Sequence, residues 1–198
     1  MTLRSALLHP LAKPLVFVLC LLPLAWLVWG AATDQLGANP AEALIRGLGD
    51  WTLRFLCLAL AVTPLRLHTR TPQLARYRRM LGLFVFFYAC LHLLAYGWLD
   101  MGLQVADIGR DILKRPFILV GFACWLLLLP LALTSTNRAV RALGGRAWQT
   151  LHRLVYLVAG LALLHFFWMR SGKNDYAEVA LYAAIIGVLL LERLFRYL

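Results

Sequence analysis

From Pro14 to Thr33 the sequence carries no charged side chain, and comparable apolar stretches recur along its 198 residues. A run of ~20 apolar residues is what a helix needs to cross the hydrocarbon core of a bilayer. In that medium the backbone must bond to itself, which restricts spanning structures to helices and closed barrels. Six segments have the length and character of helices. They cover about Pro14 to Ala31, Gly47 to Leu65, Met80 to Leu99, Pro116 to Thr134, Trp148 to Met169 and Tyr176 to Arg196. The second holds one charge, Arg54, and the fourth holds Pro130 near its end, where a kink is tolerated. The expectation is an all-α integral membrane protein, a six-transmembrane-helix bundle forming a single domain over residues 1–198. Hydrophobic residues make up 62% of the chain, with a mean hydropathy of +0.75, too little polar surface to cover a soluble globule. The basic start and first oily run resemble a signal peptide, but the length of that run favours a retained helix.

The formal charge of +11 does not indicate nucleic acid, because the basic residues fall between apolar segments, where they set topology. Thirteen of them would share one side: Arg4, Lys13, Arg66, Arg70, Arg76, Arg78, Arg79, Arg138, Arg141, Arg146, Arg153, Arg193 and Arg196. The other side would hold six, Arg46, Arg110, Lys114, Arg115, Arg170 and Lys173, with eight of the nine acids. The positive-inside rule then puts both termini in the cytoplasm, as an even number of spans requires. Trp26, Trp29, Trp51, Trp98, Trp148 and Trp168 fall near segment ends, as interfacial anchors do. Cys20, Cys57, Cys90 and Cys124 lie in apolar segments without a CxxC pair and read as small buried hydrophobes. No internal repeat is evident.

Three histidines stand in this oily background: His92 on the third segment, His152 and His165 on the fifth. An ionisable group in a bilayer usually has a buried partner or a task. Segments three and five would run in the same direction, with His92 seven residues before Leu99 and His165 four before Met169. That spacing puts the two rings within roughly 5 Å of the same depth, where two imidazoles could clamp one haem iron. His152 would lie about 20 Å lower, and the residue at the matching level of segment three is Arg79. One complete haem site and one half-site result. The plainer alternative is a hydrogen bond from each ring to a nearby carbonyl, with His152 as an interfacial polar anchor. His9 and His68 read as solvated. Arg54 and Arg79 are the candidate cofactor-binding cations; Arg54 would neutralise a haem propionate or snorkel to the outer interface. Thr134, Ser135, Thr136 and Asn137, beside the basic loop that follows them, offer groups for a flavin phosphate. No G-x-G-x-x-G or P-loop is present, so no recognisable nucleotide fold binds NAD(P)H.

The run LTSTNRAVRALGGRAWQTLHRLVY (Leu133 to Tyr156), followed by His165, resembles the ferric-reductase-like transmembrane domain family. LLPLAWLVWG (Leu21 to Gly30), LGANP (Leu36 to Pro40), TPLR (Thr63 to Arg66), RRMLGLFVFFYACLHLLAY (Arg78 to Tyr96) and Arg115-Pro116 extend the likeness. It is strongest to the haem-binding membrane subunits of bacterial periplasmic methionine sulfoxide reductase systems. The resemblance implies a multi-pass protein of the bacterial inner membrane with haem b and FMN. It implies electrons taken from the quinone pool or a cytosolic flavin reductase and given to a periplasmic molybdopterin-containing catalytic subunit, which holds the sulfoxide-reducing site. His92, His152 and His165 fall at the family's candidate haem positions, with His92 and His165 as axial ligands and His152 as a second or alternative one. Unlike broader relatives, the sequence has Arg78 and Arg79 where a second histidine on segment three would stand, and it ends before a FAD/NAD(P)H domain, so a separate donor is expected. Two rivals are a self-contained transmembrane ferric or quinone reductase and a non-enzymatic transporter or scaffold. Paired discontinuous helices in two repeated halves, which transport would favour, are not seen.

Overall fold

The computed structural model describes residues 3–171 and 174–195. Lys173 and Arg196, used above to set topology, and the last residue of the sixth expected segment lie outside the described residues, as does the side chain of Arg4. Among the described residues all regular structure is helical. The chain divides into two compact units, Met1–Leu103 and Gln104–Leu198.

The first unit holds α1 (Leu3–Leu8), α2 (Ala12–Ala32), α3 (Pro40–His68), a 3-10 turn at Pro72–Leu74, and α4 (Ala75–Ala95), which runs on into a π-helical turn over Tyr96–Asp100. Helix α3 begins well before the expected Gly47 because its start is chemically marked. The Asn39 side chain accepts from the Glu42 amide at 3.1 Å, and Pro40 occupies the first helical position. Glu42 then pairs with Arg46 at 2.7 Å, one turn on. This polar opening hides an extra stretch of helix from any reading based on hydropathy.

Helices α3 and α4 pack along their length, with Leu56, Leu60, Val85 and Tyr88 all but fully buried. Phe55 stacks on Phe84 and Tyr88 at ring separations of 5.6 and 5.0 Å, and Phe17 of α2 meets Phe84 at 5.2 Å. Tyr88 also ties α4 to α2. Its hydroxyl donates to the Cys20 carbonyl at 2.8 Å and accepts from the Leu24 amide at 3.1 Å. Those are the two groups that a regular helical turn would bond to each other, and they flank Pro23. At the end of α1, the Leu7 carbonyl accepts from Arg76 and from the Tyr77 hydroxyl, both at 2.9 Å.

The second unit holds α5 (Val105–Lys114), α6 (Pro116–Leu133), α7 (Asn137–Leu143), α8 (Gly145–His152), α9 (Leu154–Ser171) and α10 (Ala177–Leu194). Helix α5 replaces an expected loop. It sets Val105, Ile108 and Ile112 against Asp107, Arg110 and Asp111, an apolar stripe with a charged back. The expected fifth span is divided: α8 stops at His152 and α9 starts at Leu154, while Gly144, with φ of 76°, turns the chain between α7 and α8. Helix α6 packs on α9 and α10 covers another side of α9, where Phe166 and Tyr182 meet edge to face at 5.8 Å. Arg170 at the end of α9 is held by Asp175 and Glu178.

Among the described residues five helices are long and apolar enough to cross a membrane: Ala12–Ala32, Pro40–His68, Pro72–Asp100, Pro116–Leu133 and Gly145–Ser171. The sixth expected span corresponds to α10, whose 18 residues carry Glu178, Glu192 and Arg193. Large apolar side chains such as Leu22, Trp26, Trp29, Leu126 and Leu157 point outward. In water such a surface would drive aggregation; in lipid it is the solvated face. The molecule is an all-helical, multi-pass membrane protein. Cys20, Cys57 and Cys124 are buried, and no disulfide joins the cysteines.

Replacing Tyr88 with Phe removes the hydroxyl that serves both Leu24 and Cys20. The expected result is a loss of about 1–3 kcal/mol of stability, read as a lower unfolding temperature in detergent with unchanged helix content.

Candidate functional site

His92 lies on α4 three residues before its end, and its Nδ1 is 2.9 Å from the backbone oxygen of Ile45 on α3. A carbonyl oxygen only accepts, so Nδ1 is the donor, and the neutral ring carries its lone pair on Nε2. The carbonyl has two lone pairs and can serve both its own helix and the histidine. One turn further along α3 stands Gly49. A Cβ there would sit 3.1 Å from Cε1 and 3.3 Å from Nδ1 of His92, so the ring lies directly on helix backbone. The early start of α3 makes this possible, because Ile45 precedes the expected helix.

The second unit builds the same device. His165 on α9 donates from Nδ1 to the Phe117 carbonyl of α6 at 2.6 Å, and one turn beyond Phe117 stands Gly121. A Cβ at Gly121 would come within 2.8 Å of Cε1 and 2.9 Å of Nδ1 of His165. The bonded pairs are 47 and 48 residues apart in sequence. Helices α3 and α4 correspond to α6 and α9: Gly49 and Leu56 match Gly121 and Leu128, while Leu81, Val85, Ala89 and His92 match Leu154, Val158, Ala162 and His165. Four-residue steps with a closing step of three keep the second set on one helix face. Val85 and Val158 are 2% and 1% exposed, which puts that face in each core. The two units thus share a local arrangement, a histidine bonded to a carbonyl one turn before a glycine, although few residues around it match.

Metal-ligating histidines characteristically bond their second ring nitrogen to a carbonyl or carboxylate, which fixes tautomer and orientation. His92 and His165 both fit. Among the described residues no group of three or more His, Cys, Asp or Glu could hold a bare metal ion. A haem asks less of a protein, since its porphyrin nitrogens fill four positions and only axial ligands are needed. A neutral imidazole held in this tautomer is the kind of ligand that a haem iron takes.

His152 is built differently. Its Nδ1 donates to Trp148 of its own helix at 3.0 Å, and its ring stacks on that indole at 3.8 Å. The Trp148 Nε1 in turn donates to the Thr134 carbonyl at 2.9 Å, linking α8 to the end of α6. His9 is exposed and accepts from the Leu11 amide at 3.3 Å; His68 is exposed as the last residue of α3 instead of in a loop. Arg54 is half-buried on α3 with its guanidinium 4.7 Å over the Trp51 ring, and Arg79 is exposed on α4. Thr134 and Ser135 donate to the Pro130 and Leu131 carbonyls at 2.6 and 2.7 Å, and Thr136 caps α7 by accepting from Ala139. Two of those hydroxyl protons are thus committed to backbone, leaving less to offer a phosphate.

Sequence reasoning found the histidines and missed Ile45, Gly49, Phe117 and Gly121. A backbone carbonyl has no side-chain signature. The glycines did leave one, since glycine inside a helix is unfavourable by about 1 kcal/mol against alanine and needs a reason.

The family described as ferric reductase like transmembrane component matches residues 47–163, a stretch that includes His92 and His152 and stops two residues short of His165. Several curated relatives are named protein-methionine-sulfoxide reductase heme-binding subunit MsrQ. The one from Polaromonas naphthalenivorans is 68% identical over 184 residues, covering 93% of this chain and 84% of the relative. That from Herminiimonas arsenicoxydans is 52% identical over 185 residues, 93% of this chain and 85% of its own. That from Caulobacter vibrioides is 45% identical over 189 residues, 96% of this chain and 89% of its own. No solved structure matches.

Nitrogen-15 spectra of protein prepared without added haem are expected to show His92 and His165 as neutral rings protonated on Nδ1. The opposite tautomer at either ring would contradict the carbonyl bonds.

Proposed function

Because the chain belongs to the ferric-reductase-like transmembrane family and, within it, to the MsrQ haem-binding subunits, we propose that it carries electrons across a bacterial inner membrane for the repair of oxidised proteins. His92 and His165 would hold haem b through their imidazoles. When bound, a b-type haem provides a one-electron relay whose potential follows its axial ligands and surroundings. The chain's part is to hold each ring by its Nδ1–H, to present Nε2, and to keep water away with the apolar faces of α3 with α4 and of α6 with α9. The observation that carries this reading is the repeated carbonyl–histidine–glycine arrangement, since one such bond is ordinary packing and two in matching positions are a design.

In this reading α10 is a sixth span. Its charges stand at its two ends, Glu178 against Glu192 and Arg193, leaving an apolar middle. Both termini are then cytoplasmic, and residues 1–198 work as one haem-binding domain. Electrons come from the quinone pool or a cytosolic flavin reductase. They pass to a periplasmic molybdopterin subunit, MsrP, so methionine sulfoxide itself never meets this chain. Arg54 would neutralise a propionate, and Arg79 and His152 would serve at the cytoplasmic level, His152 as the candidate second ligand. FMN, which the family resemblance brings, would be held there by guanidinium groups such as those of Arg138 and Arg141 more than by the hydroxyls of Thr134 and Ser135.

His92→Ala and His165→Ala are each expected to abolish the b-type Soret and α bands in purified membranes at unchanged protein level, while His152→Ala keeps at least the main band. A normal spectrum in both of the first two variants would refute the ligand assignment. Partial loss in His152→Ala would mark a second haem.

A further inference from the structure

The glycines beside the two histidines stand outside any motif named above, and their reading rests on the ligand assignment just made. We propose that Gly49 and Gly121 are positioning residues: lacking a Cβ, they set the plane of each axial imidazole, and the closer fit at Gly121 makes His165 the more rigidly held ligand.

The covalent tether and the bond to Nδ1 restrict the ring, yet a hydrogen bond tolerates some range of angle and length, so the ring plane keeps some play. A second surface beneath the ring removes that freedom. At both sites the second surface is the bare Cα of a glycine one turn past the accepting carbonyl. At both, the same ring edge faces it, with Cε1 nearest, then Nδ1, then Nε2. At Gly49 an added Cβ would meet these atoms at 3.1, 3.3 and 3.7 Å, so the ring would have to give by a few tenths of an ångström. At Gly121 the distances are 2.8, 2.9 and 3.3 Å, closer than Cβ atoms come, so the ring itself would have to shift. The hydrogen bonds agree, 2.6 Å at His165 against 2.9 Å at His92. Packing of some other kind explains Gly47, which faces Leu27, and Gly30, which faces Leu36. Gly82 on α4 and Gly160 on α9 meet nothing within 4 Å.

These two glycines provide the controls. Alanine is the better helix former at every such site, so a defect confined to Gly49→Ala and Gly121→Ala reports the ring and not the helix. Four purified haem-loaded variants are compared for haem per protein, for the low-spin EPR signal, which responds to the planes of the axial imidazoles, and for midpoint potential. Gly82→Ala and Gly160→Ala should match the wild type in all three. Gly49→Ala should keep its haem with a displaced EPR signal and a shifted potential. Gly121→Ala should retain haem about tenfold more weakly, the scale of losing a ligand's outer support. A wild-type EPR signal and potential in Gly121→Ala would overturn the proposal. So would equal damage from Gly82→Ala and Gly160→Ala. Should Gly121→Ala fail to accumulate, Gly49→Ala decides, and wild-type spectra there overturn the proposal. Any of these results with His92→Ala and His165→Ala still haem-free leaves the ligand assignment standing; haem retained in those two removes the assignment itself.

Discussion

An N–H group in hydrocarbon has no water to turn to, and leaving it unbonded costs several kcal/mol, on the order of 4–8 by transfer to alkane. The imidazole N–H groups of His92 and His165 meet that constraint by using the spare lone pair of a carbonyl on a neighbouring helix. Much else follows from this choice. The helices must approach closely enough for a ring to rest on backbone, which calls for glycine at that point of α3 and α6. The tautomer is then fixed, and with it which nitrogen keeps its lone pair. The carbonyl bonds thereby give each histidine a defined chemical orientation.

The remaining interior is held by shape. Aromatic stacking of Phe55, Phe84 and Tyr88 organises the first unit, and the Tyr88 hydroxyl reaches across to α2 beside Pro23. Between helices in lipid there is little hydrophobic drive, so close packing and such cross-helix hydrogen bonds take its place. The outward leucines and tryptophans need no partner in the protein.

Much of this was legible from the sequence. Long uncharged runs announced the membrane helices, and histidine in such a run announced the residues of interest. The polar entrance to α3 was not legible by hydropathy, although Asn39, Pro40 and Glu42 together spell a helix start. Helix α5 was hidden because ten residues of mixed charge resemble a loop unless their period is counted. The break at Arg153 was hidden because a polar helical turn, Gly145–His152, leads straight into the apolar run that starts at Leu154 and reads as the entrance to one helix. At the site, Ile45 and Phe117 contribute only main-chain oxygen, which any residue could supply. Their role depends on which helix lies alongside, a fact of tertiary structure. The likeness of the two histidine settings was equally hidden, since it rests on which carbonyl and which glycine each ring meets.

The committed Nδ1 hydrogen has a consequence for where acid–base chemistry takes place. Turning a sulfoxide into a thioether and water consumes two protons with its two electrons. In the proposed role each imidazole has one nitrogen engaged by a carbonyl and the other by iron, so neither ring can pick up or hand on a hydron. In that role charge would cross as electrons alone, and the protons that complete the reduction would come from the aqueous phase where the sulfoxide is bound.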